Sequence, residues 1–221
     1  MAGRRTAVLI SGGGSNLQAL IDDAAAGRSA AEIALVVSNR ADAFGLERAE
    51  HHGIVTTVVD HRAFASRAAF EVVLDRKLRE AGIELVCLAG FMRVLTSGFV
   101  EAWRNRLLNI HPSLLPAFPG LDTHGRALRA GCRVHGCTVH LVRPTLDDGP
   151  ILVQGVVPVC TDDDPARLAA RVLEVEHRCY PLALDLVAGG DLRIDGDRVM
   201  LPAGVDPLVL HPALGAHAFQ P

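Results

Sequence analysis

The stretch Leu107-Leu-Asn-Ile-His-Pro-Ser-Leu-Leu-Pro116 places an amide side chain, Asn109, two residues before an imidazole, His111. An apolar run of this kind reads as a strand, and residues two apart on a strand point to the same side. Pro112 stops the strand directly after His111. Histidine can give or take a proton near neutral pH. An asparagine amide can donate a hydrogen bond to an oxygen that is gaining negative charge. Side by side, the two suit a reaction that passes through an oxyanion and moves a proton. The same spacing also fits a satisfied strand-end histidine beside a turn asparagine, and spacing alone does not separate the two.

A carboxylate could complete the group. Asp147 lies in the turn-rich link Thr145-Leu-Asp-Asp-Gly-Pro150. Beside His111 it would orient the ring and favour its cation. Two loop acids facing solvent, Asp147 and Asp148, are the commoner meaning of such a link.

A second candidate is Ser11-Gly-Gly-Gly-Ser-Asn16, between an apolar run and a helical pattern. Glycines allow close backbone approach, and a helix start offers unpaired N–H groups to an anion. Gly14, Ser15 and Asn16 could therefore hold a phosphate. The alternative is a tight turn with Ser15 or Asn16 as helix cap. The loop lacks the Lys of a P-loop. Leu17 stands where a dinucleotide fingerprint needs glycine, and Val36-Val-Ser-Asn-Arg40 offers no acid for a ribose. A small phosphorylated metabolite fits better than a nucleotide.

Metal and nucleophile patterns are weak. His51 and His52 are adjacent, and His135 and His140 lie five apart on a strand pattern, facing opposite sides. No HExxH or Cys/His cluster occurs, and Ser113 lacks the G-x-S-x-G elbow. No metal is expected.

These residues must be positioned by a scaffold, and the periodicity names one. Apolar runs at Thr6–Ser11, Ile33–Ser38, Ile54–Val59, Glu84–Ala89 and Leu107–Ile110 read as strands, the first of them buried. Helical patterns cover Ser15–Ala26, Gly45–His52 and Arg62–Ala81. This alternation predicts an α/β, Rossmann-like, doubly wound sheet, mostly parallel. After about residue 130, His135–Val142 and Pro150–Val159 follow without an intervening helix, so antiparallel strands are expected there. Thr161-Asp-Asp-Asp-Pro starts a long helix to about Val187, and Asp195-Gly196 turns a short hairpin within Leu192–Leu201. One domain is expected over residues 1–202, with 203–221 as a loose tail.

Composition narrows the partners. The chain has 221 residues, enough for one substantial core. A net charge of -3 without a basic block argues against nucleic acid and anionic membrane. No apolar run reaches membrane-spanning length, and the run after Arg4-Arg5 ends at Ser11, too short for a secretion signal. Five cysteines without CxxC spacing suggest reduced thiols and a cytoplasmic location.

Taken together, the chain resembles the phosphoribosylglycinamide formyltransferase family, folate-dependent enzymes of purine biosynthesis. The resemblance runs from Val8 to about Ile194. It is carried by Ser11–Asn16, Ser38–Arg48, Leu88–Leu95, Leu108–Pro116, Gly136–Val142, Leu146–Pro150 and Glu176-His177. It implies a formyltransferase fold and transfer of the formyl group of 10-formyltetrahydrofolate, as co-substrate, to the amine of 5-phosphoribosylglycinamide. By the same resemblance, Asn109, His111 and Asp147 are the catalytic trio. Gly14, Ser15 and Asn16, with Leu173, Glu174, Val175 and Glu176, would contact the ribonucleotide. Arg67, Met92, Arg93, Val94, Leu95, Asn109, Arg143, Pro144, Thr145, Leu146 and Asp147 would form the folate site. Apolar side chains with free backbone groups at Met92–Leu95 suit a flat pterin.

Three positions depart from the family pattern. Gly13 stands where relatives often carry Asn or Thr. Leu173 replaces a commonly polar or cationic residue. Asp122 stands where a second histidine is frequent, which could alter the proton balance near His111. Three rival functions follow from the same residues. A formyltetrahydrofolate hydrolase would use the trio with water as acceptor, although such enzymes carry an added N-terminal segment and this first strand begins almost at Met1. A non-catalytic phosphometabolite-binding module would need the glycine loop alone. A formylating enzyme of initiator tRNA would carry an RNA-binding C-terminal domain, which the short, non-basic tail does not suggest. Self-association is not legible.

Overall fold

From Thr6 to Ile10 every residue is buried, so the first strand has no solvent face. Val8 and Ile10 pack into one apolar cluster and Ala7 and Leu9 into another. Alternating side chains that are all buried require layers on both faces of the sheet. A computed structural model describes residues 3–190 and 192–215 and supplies those layers.

The elements run β1 (Arg4–Ile10), α1 (Ser15–Ala25), β2 (Ala31–Ser38), α2 (Phe44–His51), β3 (Val55–Val58), a 3-10 turn (His61–Ala63), α3 (Arg67–Glu80) and β4 (Leu85–Leu88). They continue with α4 (Ser97–Ala102), β5 (Leu107–His111), α5 (Thr123–Arg129), β6 (Val134–Leu141), β7 (Ile151–Pro158) and α6 (Pro165–Gly189). Last come β8 (Arg193–Asp195), β9 (Arg198–Met200), β10 (Leu208–Leu210) and α7 (Pro212–Gly215). The main sheet has the order β10-β7-β6-β5-β4-β1-β2-β3. Strands β1 to β5 are mutually parallel, and β6 is antiparallel to both β5 and β7. This is the doubly wound, mostly parallel sheet that the apolar runs predict. The chain order reverses between β1 and β4, and open α/β sheets bind ligands in the crevice at that point.

Three expectations are corrected. The helix expected over Arg62–Ala81 is divided, because Asp60 caps the 3-10 turn and the Ser66 hydroxyl accepts the Ala69 N–H, starting α3 at Arg67. Such side-chain oxygens compete with the helical backbone bonds around them. The late hairpin turns one residue further on, at Gly196-Asp197, with Gly196 at φ 58°. The tail is not loose throughout: β10 pairs in parallel with β7, and the His211 N–H donates to Val156 O. Residues 216–221 lie outside the described residues.

Two close packings place the site. Gly136 on β6 pairs with Val156 on β7, and a Cβ on Gly136 would collide with the neighbouring Gly155 carbonyl oxygen. The buried Tyr180 hydroxyl of α6 donates to Leu88 O at 2.9 Å, docking that helix on the end of β4. This brings Glu176, one helical turn earlier, toward the start of α1.

Candidate active site

Asn109 and His111 sit at the carboxyl end of β5, and the β5–β6 register decides their surroundings. It places His140 directly opposite Asn109 and Thr138 opposite His111. The Asn109 amide Nδ2 lies 3.3 Å from His140 Nε2, while His140 Nδ1 lies 3.2 Å from Leu141 O. A carbonyl only accepts, so Nδ1 carries the proton and Nε2 presents its lone pair. Burial holds His140 below the ordinary histidine pKa, consistent with this neutral ring. Asn109 therefore donates one amide N–H to His140 and keeps a second for the cleft.

His111 and Asp147 are brought together from distant sequence. Their side chains are each 8% exposed, with His111 Nδ1 3.5 Å from Asp147 Oδ1. That is ion-pair reach but longer than a good hydrogen bond of about 2.7–3.2 Å. On the other side, His111 Nε2 lies 3.1 Å from Phe118 O. Both ring nitrogens face oxygen acceptors, an arrangement that the doubly protonated ring satisfies on both sides. The second Asp147 oxygen accepts the Gly120 N–H at 2.7 Å, tying the 117–122 loop to the 143–149 loop. Asp147 and Phe118 have left-handed backbones, φ 50° and 54°. For a non-glycine residue this conformation is uncommon and tends to mark functional segments.

Asp122 does not join this group. It is exposed and paired with Arg129 at 2.7 Å, which holds its carboxyl below the ordinary range. His124 and His135 stack edge to face behind the loop, with ring centroids 5.2 Å apart. Burial lowers both pKa values, that of His135 to about 4. Asp122 opposes the shift at His124 without overcoming it.

The glycine loop leaves β1 for α1, and its cap is Gly14 at φ 69° with no side-chain cap bond. Ser15 and Asn16 are thus not caps. Among the described residues the N–H groups of Ser15, Asn16 and Leu17 make no hydrogen bond. Such a helix start is suited to an anion. Arg48 braces the loop by donating to Gly13 O at 2.9 Å, and a Cβ on Gly14 would approach Gly45 Cα to 2.8 Å. Asn16 donates to Glu176 Oε2 at 2.7 Å. Burial pushes the Glu176 carboxyl pKa up, and the Asn16 bond partly offsets this.

Other candidate residues divide. Val175 is a core residue, and exposed Glu174 bonds His211 at 3.0 Å. Leu173 is half-buried, and Glu176 is the acid of this stretch that meets the glycine loop. Arg143 is buried, donating to Asn105 Oδ1 at 2.8 Å, so its side chain anchors the loop. Pro144, Thr145 and Leu146 are exposed along that loop. Met92 and Val94 are exposed, at 70% and 55%, and alternate with half-buried Arg93 and Leu95. Among the described residues the backbone groups of Val94 and Leu95 are free, whereas the Met92 N–H is bonded to Ser11 Oγ at 2.8 Å. Arg67 is exposed at the start of α3. One turn later Glu71 accepts the Thr96 N–H at 2.7 Å.

His140, Ser11 and Glu71 were not anticipated. His140 becomes visible only through cross-strand register, and Ser11 and Glu71 only through which buried groups need partners.

The chain is similar to known proteins in both sequence and fold. The chain matches the formyl transferase family over residues 4–184. The phosphoribosylglycinamide formyltransferase of Escherichia coli is 46% identical over 199 residues, covering 87% of this chain and 94% of that enzyme. The trifunctional purine biosynthetic protein adenosine-3 of Gallus gallus is 51% identical over 190 residues, where this chain spans only 19% of its length. A crystal structure of glycinamide ribonucleotide transformylase 1 from Symbiobacterium toebii superposes with a TM-score of 0.88 at 48% identity, covering 90% of this chain and 94% of that one.

Proposed function

This chain belongs to the formyl transferase family, on the branch of the phosphoribosylglycinamide formyltransferases, and we propose that it moves the formyl group of 10-formyltetrahydrofolate to the amine of 5-phosphoribosylglycinamide. The observation that carries this reading is a juxtaposition. An uncapped helix start for a phosphate, a segment with free backbone groups for a pterin, and the Asn109/His111/Asp147 group all gather where β1, β4 and β5 end.

The ribonucleotide phosphate rests on the N–H groups of Gly14, Ser15 and Asn16, with Glu176 nearby for hydroxyl or amine donors. The folate ring lies against Met92–Leu95 and the 143–147 loop. The substrate amine attacks the formyl carbon, forming a C–N bond and a tetrahedral oxyanion. The free Asn109 N–H and protonated His111 donate to that oxygen, the oxyanion taking the place held here by Phe118 O. Asp147 holds the His111 charge. The bond from the formyl carbon to the folate nitrogen then breaks, and the amine proton passes to that nitrogen. The products are formylated ribonucleotide and tetrahydrofolate. Holding both substrates in one crevice supplies much of the acceleration. None of these steps calls on a metal.

The test is an assay with both substrates and with each alone. Formylated ribonucleotide formed at a stoichiometric cost in formyl-folate is the expected result. Formate release that does not depend on the amine would replace the reading with a hydrolase. Phosphate-dependent binding of the ribonucleotide without turnover would leave a binding module.

A further inference from the structure

Ser11 opens the glycine loop, yet its side chain serves the other substrate segment. It is 7% exposed and stands at the end of β1, between the ends of β2 and β4. Its hydroxyl accepts the Met92 N–H at 2.8 Å and donates to Asn39 Oδ1 at 2.6 Å. Only a group that both donates and accepts can bridge an N–H and a carbonyl oxygen in this way. Asn39 is 3% exposed and passes its own amide N–H to His61 Nδ1 at 3.1 Å. The chain of bonds thus runs from the 92–95 segment across two strand ends to the turn before α3. At the segment's far end, buried Glu71 accepts both the N–H and the hydroxyl of Thr96. Between these anchors the backbone groups of Val94 and Leu95 remain open.

We propose that Ser11, backed by Asn39, and Glu71 are positioning residues that clamp the Met92–Leu95 segment at both ends, so that its open backbone groups face the folate in fixed register. A hydrogen-bonded ligand rewards such fixing, because the segment loses no freedom when it binds. The inference rests on the folate reading of that segment. It contradicts what position suggests for Ser11, since a residue of the SGGGSN loop would be assigned to the phosphate.

Ser11→Ala separates the two. The KM for 10-formyltetrahydrofolate is expected to rise roughly tenfold, the size of one lost hydrogen bond that leaves a buried N–H unpaired, with kcat and the ribonucleotide KM within about twofold of wild type. Asn39→Ala should give a smaller rise in the same KM, and Asn39→Asp, which still accepts from Ser11, should restore it. A rise in the ribonucleotide KM with the folate KM unmoved overturns the proposal, as does failure of Asn39→Asp to outperform Asn39→Ala. Amide hydrogen exchange gives a readout independent of turnover. Met92 should exchange faster in Ser11→Ala while Ala7–Ile10 keep their protection; unchanged exchange at Met92 overturns the clamp even if the assay shows no formyl transfer by wild type. Should Ser11→Ala fail to fold, Asn39→Ala carries the same readouts.

Discussion

Asn109 and His140 face each other across β5 and β6, amide nitrogen to imidazole nitrogen at 3.3 Å, and that contact decides which way the Asn109 amide points. Because His140 Nδ1 donates to Leu141 O, its Nε2 can only accept, and Asn109 must present N–H rather than oxygen. In His140→Leu the amide is free to turn, and kcat is expected to fall about tenfold, since an oxyanion donor is then correctly placed only part of the time. His140→Gln can present a carbonyl oxygen to Asn109 and should recover part of the loss. The pH dependence has a defined sign. Burial lowers the His140 pKa, so the ring is neutral at neutral pH and charges only in acid. Its Asp147 and Asp148 neighbours oppose that shift, His111 reinforces it, and Leu141 O favours the charged ring. Once charged, His140 offers N–H at both nitrogens and the Asn109 amide must rotate. Activity lost in acid through this group should be missing from the His140→Leu profile, and identical acid limbs in the two proteins would rule the mechanism out.

Asp147→Asn keeps the shape of the 143–149 loop and removes the charge facing His111. Single-turnover formyl transfer should slow by at least tenfold, because the carboxylate facing the imidazole is gone. Asn109→Ala removes one of the proposed oxyanion donors and should cost roughly 10²–10³ in rate. Wild-type single-turnover rates in either variant would remove that residue from the mechanism.

Much of this arrangement was legible in the sequence, and the limit is physical. The central strands β1 and β4 announce themselves because they are buried on both faces and so read as near-unbroken apolar runs, as in Thr6–Ile10, whereas the edge strand β3 is partly exposed. Asn109 and His111 share a side because strand geometry has a period of two. Spacing could not say that Asp147 would reach His111, since the link between them turns through left-handed residues at Phe118, Asp122 and Asp147. That pairing came from family resemblance. His140 reads from local pattern only as a weak metal ligand, because the residue opposite Asn109 depends on a register that local pattern does not encode. The tail misled for a similar reason: three residues, Leu208–Leu210, make a strand only because the β7 edge is there to receive them.

His135 predicts an acid-labile fold. The ring is 1% exposed, and burial, reinforced by His124 and His111, lowers its pKa to about 4 despite the Pro112 carbonyl. The unfolded chain takes up this proton near the ordinary histidine value, about 6.5. Stability from this group is therefore complete above that value and is lost as pH falls toward about 4. Linkage puts the loss near 2 kcal/mol between pH 7 and pH 5, an order-of-magnitude figure. Urea midpoints should drop accordingly in wild type and drop less in His135→Phe. Parallel slopes in the two proteins would show that this histidine is not buried neutral.

Gly14 and Gly13 make a matched pair for testing the proposed phosphate loop. Gly14 sits at φ 69°, and an added Cβ would lie 2.8 Å from the backbone of Gly45 at the start of α2. Gly13 has no such conformation and nothing within 4 Å of a Cβ. Gly14→Ala must therefore either strain its own backbone or push α2 away, and both move the N–H groups of Ser15 and Asn16. A destabilisation of about 1–3 kcal/mol is expected. The ribonucleotide KM should rise at least tenfold while the folate KM stays near wild type, because the loop's helix start no longer meets the phosphate. Gly13→Ala should melt with the wild type and keep both constants. Thermal melts and steady-state kinetics on the two variants decide the matter: if Gly14→Ala retains the wild-type ribonucleotide KM, the phosphate does not rest on this loop.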